Sequence, residues 1–147
     1  MSDPHAIATL LLNGAAVFFA GMLAGLPYGV LRVRQNRPEA EANWRIAHVQ
    51  NLQNGLLLLL IGVSVPHLEL TALAMQSMVY LLVLAAYCDM AAFVIRPVTG
   101  HAGLLPEPPA ANLAVFALFS VTLVGQFVGV ALVIYGAWVR WAGLTAA

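Results

Sequence analysis

Three residues stand out as carriers of chemistry: His48, Asn54 and Asp89, each an ionisable or amide side chain inside a mostly apolar stretch. His48 belongs to a short polar segment with Gln50, Asn51, Gln53 and Asn54, after which Gly55 to Val65 is apolar but for Ser64. That apolar run is eleven residues, too short to cross a bilayer, which takes roughly 20 helical residues. The polar segment must therefore enter the membrane or its interface, where such side chains belong against other helices, a cavity or another subunit. At about 100° per residue, Asn51 and Gly55 share the His48 face, whereas Asn54 lies about 120° around the helix and one and a half turns further in. His48 and Asn54 thus address two sides of a pocket, or one of them addresses a subunit boundary. A lone intramembrane histidine serves as a proton carrier, a metal or haem ligand, or a hydrogen-bonded packing residue, and the spacing does not choose among these. The amides read equally as interhelical glue.

Asp89 is the one acid inside a span, and an intramembrane carboxylate marks a functional site by default. Its structural alternative is an ion pair with Arg96 or Arg45. Tyr87 and Phe93 flank it, and Asp89 and Phe93 are four residues apart on one helical face.

The elements that must position these residues follow from composition. Hydrophobic residues make up 62% of the 147 and charged residues 8%; soluble domains carry about a quarter charged, so the solvent this chain fits is a bilayer. There is no lysine and the formal net charge is zero, which excludes a nucleic-acid footprint. A single cysteine, Cys88, rules out an internal disulfide and the cysteine patterns of zinc or iron–sulfur sites.

Breaks in the apolar runs predict one transmembrane domain of four spans, about 6–31, 44–65, 70–95 and 111–139, with no strand alternation. No basic residue precedes the first run, so it reads as a span and not as a cleaved signal. The expected fold is all-α, an integral membrane four-helix bundle. Arg32, Arg34, Arg37, Arg45 and Arg96 fall at the end holding the two long connectors, and Arg140 alone falls at the other. The positive-inside rule then puts those connectors in the cytoplasm and both termini outside. His48 near the start of the second span and Asp89 to Phe93 near the end of the third share one half of the membrane. Tyr28 and Asn112 reach that level too, as expected of an embedded pocket. His5, His67 and His101 fall in a terminus, a turn and a loop and read as solvated. Gly21 with Gly25 and Gly125 with Gly129 are spaced for close helix approach, and Trp44, Trp138 and Trp141 for interfacial anchoring.

Pro38-Glu39, then Trp44-Arg45-Ile46-Ala47-His48, then five residues and Asn54-Gly55, resembles the styrene oxide isomerase family. Those proteins are similarly small, with four membrane helices and a Pro/Gly-rich loop before the last, like the stretch from Pro97 to Pro109 here. The resemblance implies a membrane-bound epoxide isomerase, in a bacterial inner membrane, that binds haem b near subunit boundaries of a homotrimer. Ferric iron would act as a Lewis acid on an apolar aryl epoxide such as styrene oxide. Ring opening toward the aryl carbon and a 1,2-hydride shift would then give the aldehyde, a Meinwald-type rearrangement. Carried over, His48 is the axial metal ligand, with Trp44, Arg45 and Asn51 around the cofactor, and Asn54 orients the epoxide. The family's third-helix tyrosine corresponds to Phe93, whose ring can pack and face a cation but cannot donate a hydrogen bond. Asp89 or Tyr87 would then take over the polar role. Two other readings remain beside this one. They are a haem membrane protein on the same scaffold without isomerase activity, and a small transport or assembly subunit in which His48 and Asp89 relay protons or only pack.

Overall fold

A computed structural model describes residues 3–35 and 37–145. Four helices account for nearly all of them: α1 (Pro4–Arg34), α2 (Pro38–Ser64), α3 (Ala72–Thr99) and α4 (Ala110–Thr145). All four are long and apolar enough to span a membrane, and no strand occurs among the described residues. The shortest, α2, has 27 residues, about 40 Å of helix against a hydrocarbon core of about 30 Å. The all-α four-helix transmembrane fold is as expected.

The helices run further than the apolar runs that announce them. Of the stretch Arg32 to Asn43, expected as a polar connector, residues 32–34 and 38–43 are helical. Arg32 and Arg34 lie in the last turn of α1, which closes on Gln35 at φ 51° with its N–H on the Leu31 carbonyl. Pro38 then opens α2, with Glu39 and Glu41 in its first turn. Cations at a helix C-terminus, proline at the first position and acids in the first turn each favour the helical state. Hydropathy is blind to all three. Likewise α3 passes through Pro97 and stops at Gly100, whose φ of 77° suits only glycine without strain. At the other end of the bundle the Asp3 carboxylate accepts from the His5 and Ala6 N–H groups to cap α1, and the Thr71 hydroxyl caps α3 at Ala74.

The chain folds as two helical hairpins, α1 on α2 and α3 on α4, joined mainly through α2 and α3. Leu10, Val17, Leu58, Ile61, Met78 and Leu82 form the shared apolar core. Inside each hairpin the helices approach at glycines. A Cβ placed on Gly55 would fall 2.4 Å from the Phe18 backbone nitrogen, and one on Gly21 would fall 2.7 Å from that of Leu52. In the second hairpin a Cβ on Gly125 would lie 2.9 Å from the Leu81 carbonyl oxygen. With no hydrophobic drive between helices in lipid, such close backbone contact is a main source of association. Gly55→Ala is accordingly expected to cost about 1–3 kcal/mol, read as a lower melting temperature in detergent. Gly29→Ala, where the added methyl meets nothing within 4 Å, is expected to leave melting unchanged or raised.

Candidate functional site

α2 presents its two chief polar groups to different neighbours. His48 turns toward α1, where its Nδ1 lies 2.8 Å from the Gly21 carbonyl oxygen. A carbonyl only accepts, so Nδ1 carries the proton, and in the neutral ring Nε2 keeps a free lone pair. A Cβ on Gly25 would lie 2.9 Å from Nδ1 and 3.0 Å from Cε1 of the same ring. Tyr28 stacks on the imidazole, with centroids 6.2 Å apart and planes 21° from parallel. Gly21, Gly25 and Tyr28 follow one another at spacings of four and three along a single stripe of α1. That stripe cradles the ring from one turn to the next.

Asn54 turns the other way and is buried. Its Nδ2 donates to the Asp89 carboxylate of α3, and its Oδ1 accepts from Gln126 Nε2 of α4 at 3.3 Å. One turn away on the same seam, the Thr122 hydroxyl donates to the Ala85 carbonyl at 3.1 Å. Three helices therefore meet at one amide. The wide angle between His48 and Asn54 around α2 appears here as two separate flanks.

Several residues expected near this level have other occupations. Asp89 pairs with neither arginine: Arg96 Nε donates to Asn43 at 3.2 Å, and Arg45 is exposed. The one salt bridge among the described residues joins Arg32 to Glu41. The buried carboxylate met an amide donor within its own layer, and the arginines stayed at the polar end. Asn112 does not reach into the bundle. Its side chain clasps the α3–α4 loop, accepting from the Gly103 N–H and donating to the Leu105 and Glu107 carbonyls, because the loop's backbone groups have no helix to satisfy them. The Tyr87 hydroxyl donates to Asn13 of α1 at 2.9 Å, away from Asn54. Phe93 meets Phe119 of α4 edge to face, 5.1 Å between centroids. Trp44 is half-buried one turn before His48. Asn51 is 0% exposed at the α1 contact, and neither atom of its amide has a hydrogen-bond partner.

Gln126 and the Gly21 carbonyl are participants that inspection of the sequence passes over. Gln126 is the lone amide in the membrane-crossing part of α4, downstream of Asn112, and that rarity was its signal. A backbone carbonyl leaves no signature at all.

Among the described residues no three of His, Cys, Asp and Glu gather as a metal cage. A bare ion needs several such donors; a macrocycle that brings its own equatorial ligands needs one imidazole. The family model for styrene oxide isomerase matches residues 7–138. The chain belongs to the styrene oxide isomerase family. Among curated proteins none matches it. The match spans all four helices, so the cradle around His48 and the Asn54 junction both lie within the family region.

The Nδ1–H tautomer is open to direct measurement. In protein labelled with 15N-histidine and free of added ligand, the His48 signals, assigned by their loss in His48→Gln, are expected to show protonated Nδ1 and bare Nε2. Gly25→Val is expected to unseat the ring and abolish that pattern.

Proposed function

We propose that this protein is a membrane-embedded epoxide isomerase that holds ferric haem b on His48 and converts apolar aryl epoxides, such as styrene oxide, to aldehydes. The observation that carries this reading is the His48 ring, with Nδ1 committed to the Gly21 carbonyl and Nε2 left free. Metal-ligating histidines characteristically donate their other ring N–H to a carbonyl or carboxylate, which fixes the tautomer and raises basicity. When bound, ferric haem supplies a Lewis acid that polarises the epoxide oxygen without changing oxidation state.

The chain's own residues supply the rest. Asn54 donates a hydrogen bond to the same oxygen as negative charge gathers there. The bond between the aryl carbon and oxygen opens, and a hydride crosses from the terminal carbon, which keeps the oxygen, to the aryl carbon. The terminal carbon becomes the aldehyde, and the product is an isomer of the substrate. The Phe93 and Phe119 rings offer π-faces to the positive charge at the aryl carbon, and the apolar bundle keeps water from trapping it. Substrates of this kind dissolve in the bilayer that surrounds the site.

His48 and Asn54 on opposite flanks of α2 suit a homotrimer with the cofactor near subunit boundaries, and the helices' exposed apolar faces offer surface for it. The arginine-rich connectors lie on the cytoplasmic side of a bacterial inner membrane and both termini lie outside. A haem protein of the same scaffold without isomerase activity is the second reading. It is favoured by Phe93, which has no hydroxyl where the family carries tyrosine.

Haem-loaded protein incubated with styrene oxide, without oxygen or an electron donor, is expected to give phenylacetaldehyde by gas chromatography. Phe93→Tyr is expected to raise turnover several-fold. No aldehyde from fully loaded protein across several aryl epoxides supports the second reading instead. Turnover that needs continuous reduction and oxygen contradicts the Lewis-acid role.

A further inference from the structure

We propose that Asp89 is a positioning residue that sets the sense of the Asn54 amide, with Gln126 closing the chain behind it, so that Asn54 offers the substrate oxygen an N–H and not a carbonyl. The proposal deepens the isomerase reading and rests on it for its catalytic consequence.

Asn and Gln side chains each present one accepting end and one donating end of nearly the same shape, so either can sit in a hydrogen-bonded chain both ways round. An ionised carboxylate only accepts, whereas a protonated one also carries an O–H, and Asp89 is taken here as ionised. In the series Gln126–Asn54–Asp89, the carboxylate is the single group that breaks this symmetry. It forces Asn54 Nδ2 toward α3, which turns Oδ1 toward α4, which in turn selects Nε2 of Gln126 as donor. Asn54 and Asp89 are both buried, at 8% and 6% exposed, so water does not compete for these ends. Nδ2 carries two protons and has one protein acceptor among the described residues. The second N–H is left for a guest, and its direction is set from α3. Phe93, one turn beyond Asp89 on the same helix, holds no donor that could do this job instead.

Two substitutions test the idea because they move the acceptor-only end from one side of Asn54 to the other. Asp89→Asn removes the directing group and keeps the shape. Haem content and Soret position are expected to stay as in the parent, while kcat falls about twofold as the amide samples both senses about equally. Gln126→Glu alone places acceptors on both sides of the amide and is expected to lower the melting temperature. Combining D89N with Q126E leaves one carboxylate, now on α4, and is expected to restore melting but to hold Asn54 reversed. Turnover of the double variant should then stay at least about a hundredfold below the parent, the usual cost of losing one donor to a developing oxyanion.

If the role of Asp89 is only to keep one charge in the cluster, D89N/Q126E regains both stability and activity, and the proposal falls. It falls too if D89N keeps the parental kcat, or if the double variant melts no higher than Q126E. If the parent protein makes no aldehyde from any aryl epoxide, the isomerase reading fails on its own. The melting series then decides whether Asp89 sets the amide.

Discussion

A polar side chain in hydrocarbon is costly unless another part of the protein answers it, and α2 carries several, of which His48 and Asn54 are answered and Asn51 is not. Their partners decide where the neighbouring helices sit. His48 is answered by a backbone carbonyl of α1, and Asn54 by the carboxylate of α3 and the amide of α4. Remove those requirements and the rotation of α2 is left to its close glycine contacts with α1. Each such bond in a membrane protein contributes only about 0.6–2 kcal/mol, so their main effect is on orientation. The packing that makes the contacts possible comes from glycine. Gly21, Gly25 and Gly55 let α1 come close enough for a carbonyl and an imidazole to meet.

The same arrangement links fold to chemistry. A histidine held at Nδ1 has its ring plane and tautomer chosen before any ligand arrives. Losing such a partner typically costs 10–100-fold in metal affinity or activity. The cradle on α1 therefore belongs to the proposed haem site although none of its residues is a ligand. On the other flank, an amide between a carboxylate and a second amide is a preorganised donor in a dry setting, where reorganisation costs little. One helix thus supports two kinds of preorganisation, each drawn from a different partner.

The number of spans and the helical class were legible because apolar runs of membrane length seldom occur in chains that fold in water. The helix ends were less so: Pro38, Glu39 and Glu41 stabilise a start that hydropathy reads as loop. Helical periodicity alone separated His48 from Asn54, and it anticipated the close approaches at Gly21, Gly25, Gly125 and Gly129. It did not reveal that Gly21 contributes its carbonyl, since every residue has one. Asp89 invited an arginine partner because opposite charges attract on paper. In the bundle Arg96 stays at Asn43, and the carboxylate takes the donor that packing brings within reach. Asn112 suggested a pocket and proved to be the clasp of a loop, a role set by backbone groups outside any periodic pattern.

The central claim is that the free nitrogen of His48 would hold the iron of a bound haem. Absorbance of the purified ferric protein in the Soret region, compared with that of His48→Gly with and without added imidazole, addresses it most directly. The account requires a Soret band in the parent, its loss or marked shift in H48G, and its return when imidazole fills the vacated space. A colourless parent that cannot be reconstituted with haem, or an unchanged band in H48G, would contradict it.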